Sequence, residues 1–258
     1  MFAHEAVSSN ARQIFVVLIG TSATEYESRK ERRKYELHHF QYPFRCAPCE
    51  DQNMRASRIV RVITFLNIAV FLMWFSCVYV SGGPQFMLDN FLVSWTSLTD
   101  GRWWTLLTSA FSHNMILHIV INMFVLRGFG TVMSEEMGTK KFILFYLLAG
   151  MSGSLVHSAV SNFWMNQPDL PALGASGAIA GIILYFSLIF PEEKILLLGF
   201  IPVRAMWGAI MLVAFDVYGL LEQTRGGGSF LGHGAHLGGA AIGICWFLVT
   251  AATKRSQK

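Results

Sequence analysis

The chain has 258 residues, of which 53% are hydrophobic and 14% charged, and its mean hydropathy is +0.44. This apolar composition is typical of a membrane protein and argues against a soluble domain. The formal net charge of +4 is small, and the basic residues are scattered between apolar stretches, so the charge pattern gives no support for nucleic-acid binding.

Residues 1–58 differ in character from the rest of the chain. They carry a dense run of mixed charge at residues 25–34 and one short apolar stretch at residues 14–19. A span needs about 20 residues, so this stretch is too short, and it lacks the flanks of a secretory signal peptide. We expect an inner-side extension, disordered or outside the native core: a targeting segment, a small cytosolic arm, or translated sequence ahead of a start at Met54.

Four cysteines are too few and too badly spaced for a disulfide scaffold. Cys77 and Cys245 lie inside apolar runs, where a thiol behaves as a small hydrophobic group. Cys46 and Cys49 form a CxxC preceded by two histidines, which leaves a zinc or redox site open. A single CxxC without a second half is weak support for either, so no metal and no cofactor are predicted.

Apolar segments follow one another from residue 62 onward. Because every backbone amide inside a bilayer has to be paired within its own segment, each segment is predicted to be a helix. The predicted spans are residues 62–80, 103–126 with the helix beginning near Asn114, 142–164, 173–190, 203–221 and 234–251. The predicted fold class is therefore an all-α polytopic membrane bundle of six transmembrane helices, occupying residues 59–253 and followed by a basic tail at 254–258.

Basic residues indicate how this bundle is oriented in the membrane. With the N-terminus inside, the inner side receives Arg55, Arg58, Arg61, Arg127, Lys140, Lys141, Lys194, Arg204, Lys254, Arg255 and Lys258, and the outer side only Arg102 and Arg225. The excess of inner cations favours an inside location for both termini. The second, fourth and sixth spans then all run inward, so residues near their starts lie at a similar shallow depth.

A serine stands between glycines at the start of the fourth span, in the sequence Gly174-Ala175-Ser176-Gly177. A serine in a membrane helix is commonly a packing residue or bonds back to its own helix, and that interpretation stays open. The glycines, however, allow close approach of another chain. The free amides of a helix N-terminus are also suited to an oxyanion, which makes Ser176 a candidate nucleophile.

A histidine, His236, lies near the start of the sixth span, where its burial is costly and suggests a function. Gly239 and Gly243 follow it as a GxxxG pattern, and Gly177 and Gly181 form the same pattern on the fourth span. If these two faces pack together, the imidazole comes within hydrogen-bond reach of the serine. The alternative is a packing motif with an incidental imidazole.

His113 precedes the helix of the second span, and His118 and Asn122 lie in its first turns. The last two are four residues apart, so they share one helix face, and both can donate a hydrogen bond to an anion. A zinc site is a less favoured interpretation of these residues than an anion site. There is no HExxH pattern, and the nearest acids, Glu135 and Glu136, lie at the other membrane face. All these polar groups lie within about two turns of a span start, so three helices can bring them together.

Three motifs in this chain, GASG, AHLGG continuing to Gly243, and HNMILHIVIN, resemble the GxSG, AHxxGxxxG and HxxxxHxxxN motifs of the rhomboid intramembrane serine proteases. The resemblance covers about residues 60–252. It implies that Ser176 is the nucleophile and His236 the general base of a dyad without a third acid. It implies an oxyanion hole of His118, Asn122 and the Ser176 amide. Supporting positions are Gly174, Gly177, His113, Gly239 and Gly243.

Two positions depart from the pattern of many rhomboid proteases. A tyrosine commonly follows the serine by one turn and stacks on the histidine ring, whereas this chain has Ala180 there. The first loop, which residues 90–113 resemble, commonly contains Trp-Arg, whereas this chain has Arg102-Trp103-Trp104. Neither departure removes a catalytic group.

The resemblance predicts an intramembrane serine endopeptidase that cleaves transmembrane segments of other membrane proteins. Its partners would be those substrates and the lipid bilayer, with no nucleic acid and no metal. A catalytically silent rhomboid-like protein that binds membrane helices is the main alternative, although it would be expected to lose the serine or the histidine. A transporter would instead show an inverted repeat and paired broken helices, which the sequence lacks.

Two further expectations concern the fifth span and the membrane. Asp216 either lines the active-site cavity or lies at the membrane interface, and we expect the interface. The core resembles both bacterial rhomboids and the mitochondrial presenilin-associated branch, whose members carry an extra span before the six. Because no such span is visible, we expect a bacterial inner membrane, with the mitochondrial inner membrane as the alternative.

Overall fold

A computed structural model describes the backbone of residues 48–197, 201–227 and 231–256. Side chains are described for residues 58–196, 201–227 and 231–253. The side chains of Cys46 and Cys49 lie outside these ranges, as does most of the predicted extension at residues 1–58. The expectations for the CxxC and for that extension therefore concern parts of the chain beyond the described residues.

Helices make up most of the described chain. In chain order they are α1 (Pro48–Cys77), α2 (Gly83–Phe91), α3 (Trp95–Thr99), α4 (Thr105–Thr108), a 3-10 turn (Ser109–Phe111), α5 (Ile116–Val125), a π-helical turn (Leu126–Gly130), α6 (Thr131–Met137), α7 (Thr139–Phe163), α8 (Ser176–Ile189), α9 (Ala205–Thr224) and α10 (His233–Ser256). Two short strands, β1 (Lys194–Leu197) and β2 (Ile201–Arg204), pair antiparallel between α8 and α9.

Within the described residues, five helical segments are long and apolar enough to cross a membrane. They are Arg58–Cys77, Ile116–Met137, Thr139–Phe163, Ala205–Thr224 and His233–Thr253. The fourth predicted span is the shorter apolar helix α8. Together these segments confirm the predicted all-α polytopic bundle. With 14 residues, α8 is about 21 Å long, so it falls short of at least one surface of a hydrocarbon core of about 30 Å.

The structure corrects the prediction in two places. The second span was expected to end at Leu126, but the helix continues through the π-helical turn and α6 to Met137. Arg127 therefore lies within the helix; a long basic side chain can reach the interface from there, so it does not mark the helix end. The hairpin of β1 and β2 was not predicted, and its register pairs Lys194 with Arg204 and Leu197 with Ile201.

Helix α8 lies at the centre of the bundle, and nearly all its side chains from Gly177 to Ser187 are buried. Its backbone touches that of α10. A Cβ added to Gly239 would overlap the Gly177 carbonyl oxygen, and one added to Gly181 would lie 2.7 Å from the Gly239 carbonyl oxygen. A Cβ on Gly243 would lie 2.7 Å from the Gly181 carbonyl oxygen. The two glycine faces therefore pack together as the sequence predicted.

Helix α7 closes the other side of this central pair. The Ser152 hydroxyl donates to the Gly238 carbonyl over 2.8 Å, and a Cβ on Gly153 would lie 2.7 Å from the Ala235 carbonyl oxygen. Aromatic side chains complete the core, with Phe142 and Phe145 fully buried. The outer faces are apolar and exposed, as expected for lipid contact; they include Phe65, Leu72, Ile116, Leu117, Leu155, Trp207, Phe215, Tyr218 and Leu248.

Candidate active site

The first loop is held together by polar contacts around Arg102. Its guanidinium donates to Asp89 over 2.7 Å and to Asp100 over 2.9 Å. The indole of Trp104 donates to the Asn90 side-chain oxygen over 3.1 Å. The order Arg-Trp-Trp, which departs from the common pattern, thus still supplies internal contacts that shape the loop.

This loop docks onto the segment that leads to Ser176. Val93 and Ala172 exchange two backbone hydrogen bonds of 3.0 and 2.8 Å. The Thr96 hydroxyl donates to the Asp169 carboxylate over 2.6 Å, and the Thr96 amide donates to the Pro168 carbonyl over 3.1 Å. The approach to the serine is therefore fixed from the first loop as well as from the helices.

The turn before Ser176 requires a glycine at position 174 for two reasons. Gly174 has φ +125°, which L side chains rarely adopt, and an added Cβ would lie 2.7 Å from the His118 ring. The Gly174 amide donates to the Ser109 carbonyl over 2.9 Å. Ser176 then begins α8, half-buried, with His118 packed against the turn just before it.

His113 supports the same turn from behind. Its side chain is fully buried, and its Nε2 accepts a hydrogen bond from the Ala175 amide at 3.4 Å. Burial, helped by the nearby His118, lowers the pKa of His113 to about 3, so the ring is neutral and can act as an acceptor. Its ring centroid lies 4.9 Å from that of His118. His113 therefore supports His118 and the serine turn together.

His118 and Asn122 lie on the face of α5 that points into the bundle, as their spacing predicted. His118 is close enough to His236 to interact with it electrostatically. Asn122 is 5% exposed, and its amide donates to the His118 carbonyl over 3.0 Å. Because an asparagine amide carries two hydrogens, one donor of Asn122 is used in this bond and one is left for an anion.

Contact between α8 and α10 places the serine and the histidine on adjoining helix turns. Gly177, next to Ser176, packs so closely on the Ala235 carbonyl that an added Cβ would lie 3.1 Å from its oxygen. Ala235 is the neighbour of His236 in the sequence. The structure therefore brings together the starts of the second, fourth and sixth spans.

Asp216 joins this site from the fifth span. Its Oδ1 lies 2.9 Å from Nδ1 of His236 and 2.8 Å from Nδ1 of His233. An ionised carboxylate only accepts hydrogen bonds, so each imidazole donates from Nδ1. With its proton on Nδ1, neutral His236 has an unprotonated Nε2 that can act as a base.

The expected interfacial position of Asp216 is wrong, because its side chain is buried within the bundle and 2% of the residue is exposed. Asp216 also does what a stacked tyrosine would do at the position of Ala180: it fixes the His236 ring. Sequence reasoning missed both this contact and His233. The signal available in the sequence was an acidic residue inside an apolar helix. Ionisable residues inside a membrane helix are rare and usually paired, so a partner for Asp216 could have been sought.

The starts of the second, fourth and sixth spans meet inside the bundle, and Asp216 of the fifth span bonds to two histidines of the sixth; together these features define a polytopic membrane protein with a polar centre. Residues 100–253 match the rhomboid domain, and the chain belongs to the rhomboid family. This match covers the serine turn, the second span and the sixth span, where the three motifs lie.

Similar proteins carry rhomboid names. The chain is 36% identical over 208 residues to RHOMBOID-like protein 12, mitochondrial, of Arabidopsis thaliana, covering 76% of this chain and 59% of that protein. It is 31% identical over 210 residues to Rhomboid protein 1, mitochondrial, of Saccharomyces cerevisiae, covering 78% and 56%. It is 32% identical over 195 residues to Presenilin-associated rhomboid-like protein A, mitochondrial, of Danio rerio, covering 74% and 47%. The chain thus spans about half the length of these relatives.

Proposed function

We propose that the chain is an intramembrane serine endopeptidase that cleaves transmembrane segments of other membrane proteins, with residues 59–253 as its protease domain. Family membership supports this class of activity. The observation that carries the proposal is the 2.9 Å contact between His236 Nδ1 and Asp216 Oδ1, because it leaves Nε2 of His236 unprotonated. Held in this way, His236 has the tautomer that a general base for Ser176 requires.

In the proposed mechanism Ser176 Oγ attacks the carbonyl carbon of the scissile peptide bond while its proton passes to Nε2 of His236. The tetrahedral intermediate then collapses, the C–N bond breaks, and His236 returns the proton to the leaving nitrogen. Water attacks the resulting acyl-enzyme with the same histidine as base, which releases the new carboxyl end and restores the serine. Asp216 is a positioning residue that orients the imidazole and stabilises its protonated form.

Negative charge develops on the substrate oxygen during attack, and donors fixed in advance stabilise it. We assign this role to the Ser176 amide at the start of α8, the His118 ring and the second amide hydrogen of Asn122. His118 packs against Gly174, and Asn122 is fixed by its bond to the His118 carbonyl. These contacts hold the donors in place without requiring movement when the charge forms.

The substrate is proposed to be a transmembrane segment because the site lies inside a bundle whose outer faces are apolar. The three relatives described above, which match 74–78% of this chain, are all named mitochondrial. We therefore propose a mitochondrial membrane, in place of the bacterial membrane that the sequence favoured. This assignment is tested by subcellular fractionation, in which the tagged native protein should be recovered with mitochondrial membranes. Recovery with another membrane would contradict it.

The activity is tested with the full chain purified in detergent and a transmembrane test substrate. Wild type should cleave it, and both Ser176→Ala and His236→Ala should remove cleavage. Ser187→Ala is the matched control, since Ser187 lies on the same helix but its hydroxyl bonds back to the Ile183 carbonyl over 2.8 Å. Cleavage that survives both substitutions at the proposed dyad would refute the proposal.

A catalytically silent protein that binds membrane helices would give a different pattern. It would capture the test substrate without cleaving it, and Ser176→Ala would leave capture unchanged. Presence of both Ser176 and His236, with the imidazole held by a carboxylate, favours the protease.

A further inference from the structure

We propose that His233 is a second positioning residue of the active site, which holds the Asp216 carboxylate so that Asp216 can in turn hold His236. This inference rests on the proposed protease function and deepens it. It adds a third residue to the hydrogen-bonded series, in which His236 bonds to Asp216 and Asp216 bonds to His233. His233 lies three residues before His236 on α10.

The first support is that one carboxylate oxygen serves both imidazoles. Asp216 Oδ1 lies 2.8 Å from His233 Nδ1 and 2.9 Å from His236 Nδ1. Both contacts are within the range of charge-assisted hydrogen bonds. The carboxylate position is thus fixed by two donors rather than one.

The second support is burial. The side chains of Asp216 and His233 are each 3% exposed, whereas that of His236 is 18% exposed. A buried carboxylate is costly unless donors compensate for its lost hydration. His233 is in the better position to supply a permanent donor, because His236 has to change its protonation during each turnover.

The third support is the slot that holds the His233 ring. A Cβ added to Gly219, one turn after Asp216 on α9, would overlap the ring atoms of His233. On the other flank, the Phe215 ring centroid lies 5.4 Å from that of His233 in an edge-on arrangement. The ring is therefore wedged between α9 and α10, and its direction towards Asp216 is set by packing.

The consequence for catalysis is a shift in pH dependence. The donor from His233 stabilises the state in which Asp216 is an anion and His236 is neutral, which is the active state. Removal of that donor leaves the carboxylate with one hydrogen bond instead of two and destabilises this state, so the acid limb of the pH profile should move when His233 is replaced. A residue that only filled space would not produce this change.

The other ionisable groups around Asp216 and His236 are the same in wild type and in the His233 variants. From α5, His118 interacts electrostatically with His236. From α7, His157 lies against Gly234 and its Nε2 is 3.3 Å from the Leu170 carbonyl. Helix α8 contributes the Ser176 hydroxyl, and α9 contributes Asp216 itself. None of these is altered by substitution of His233.

The experiment compares His233→Leu with His233→Asn in the full chain, measuring kcat/KM for the test substrate across pH. In the leucine variant the acid limb should move up by about one pH unit, the size expected for one lost hydrogen bond to a charged group. In the asparagine variant, whose side-chain NH₂ can replace the Nδ1 donor, the limb should return most of the way. An unshifted limb in folded His233→Leu would overturn the proposal, as would an equal shift in both variants.

A second variant reaches the same contact without changing His233. Gly219→Ala should displace the ring from its slot and shift the acid limb in the same direction as His233→Leu. If the leucine variant does not fold, the comparison of Gly219→Ala with His233→Asn takes its place. A Gly219→Ala protein that folds and keeps the wild-type pH profile would count against the role of His233.

A readout independent of catalysis separates this inference from the proposed function. In Ser176→Ala protein labelled with ¹⁵N-histidine, NMR should show His236 as the Nδ1–H tautomer, and His233→Leu should produce a mixture of tautomers. An unchanged His236 signal would refute the coupling. If the coupling is present but wild type cleaves nothing, the protease assignment fails while the role of His233 stands.

Discussion

Asp216 on the fifth span and His236 on the sixth are joined by a hydrogen bond of 2.9 Å between Oδ1 and Nδ1. The bond crosses between two helices and is largely shielded from solvent on the Asp216 side. It fixes the tautomer of the His236 imidazole. The contact therefore adds to the proposed serine–histidine dyad an acid that was expected to lie at the membrane interface.

Asp216→Asn should lower kcat by roughly 10²-fold or more, because an asparagine amide can donate to Nδ1 and reverse the His236 tautomer. KM should change little, since Asp216 does not contact the substrate in the proposed mechanism. The measurement is steady-state cleavage of the test substrate. Asp100→Asn, on the exposed first loop, is the control and should retain activity; an equal loss in both variants would contradict the assigned role.

Asn122→Ala should lower kcat by about 10² to 10³-fold with a smaller effect on substrate binding, as expected for loss of one oxyanion donor. Kinetics and separate binding measurements on Ser176→Ala protein distinguish the two effects. Asn114→Ala, at an exposed position before α5, is the control. Weaker binding with unchanged kcat would show that Asn122 contacts the substrate in its ground state instead.

Gly239→Ala should destabilise the fold by roughly 1–3 kcal/mol, because its new methyl group would overlap the Gly177 carbonyl and force α8 and α10 apart. The free energy of unfolding in detergent measures this effect. Gly234→Ala is the matched control on the same helix, since its Cβ would meet its neighbours at an ordinary contact distance of 3.4 Å. Equal stabilities of the two variants would show that the glycine seam relaxes without cost.

The buried ring of His113 is expected to make the folded chain less stable in acid. Burial lowers its pKa from the ordinary value of 6.5 to about 3 in the folded chain, so between these values the unfolded chain binds a proton that the folded chain does not. This difference in proton binding therefore costs no stability above about pH 6.5. As the pH falls from there towards 3, it progressively lowers the free energy of unfolding. His113→Gln, which can still accept from the Ala175 amide, should show a smaller fall in melting temperature between pH 7 and pH 5. An identical fall in both proteins would contradict this origin.

How far the sequence alone reaches can be judged from particular elements. The spans were predictable because a segment in hydrocarbon has to satisfy its own backbone, so length and hydropathy mark it locally. The packing of Gly177 against Gly239 was predictable for a similar reason, since small residues at helical spacing mark a contact face. The end of the second span at Met137 was missed because Arg127, Glu135 and Glu136 lie in this part of the helix. In the sequence, charged residues at the end of a membrane helix cannot be distinguished from those of a loop.

The amino-acid sequence by itself determined the six apolar helices and the separate motifs that carry Ser176, His236 and Asn122, since each depends on neighbours within a turn or two. Only the tertiary structure decided that Asp216 faces His236 and His233 instead of lipid, and that His113 supports the amide of Ala175. Those contacts depend on the rotation and close approach of helices far apart in the chain. Packing sets them, and no local pattern encodes it.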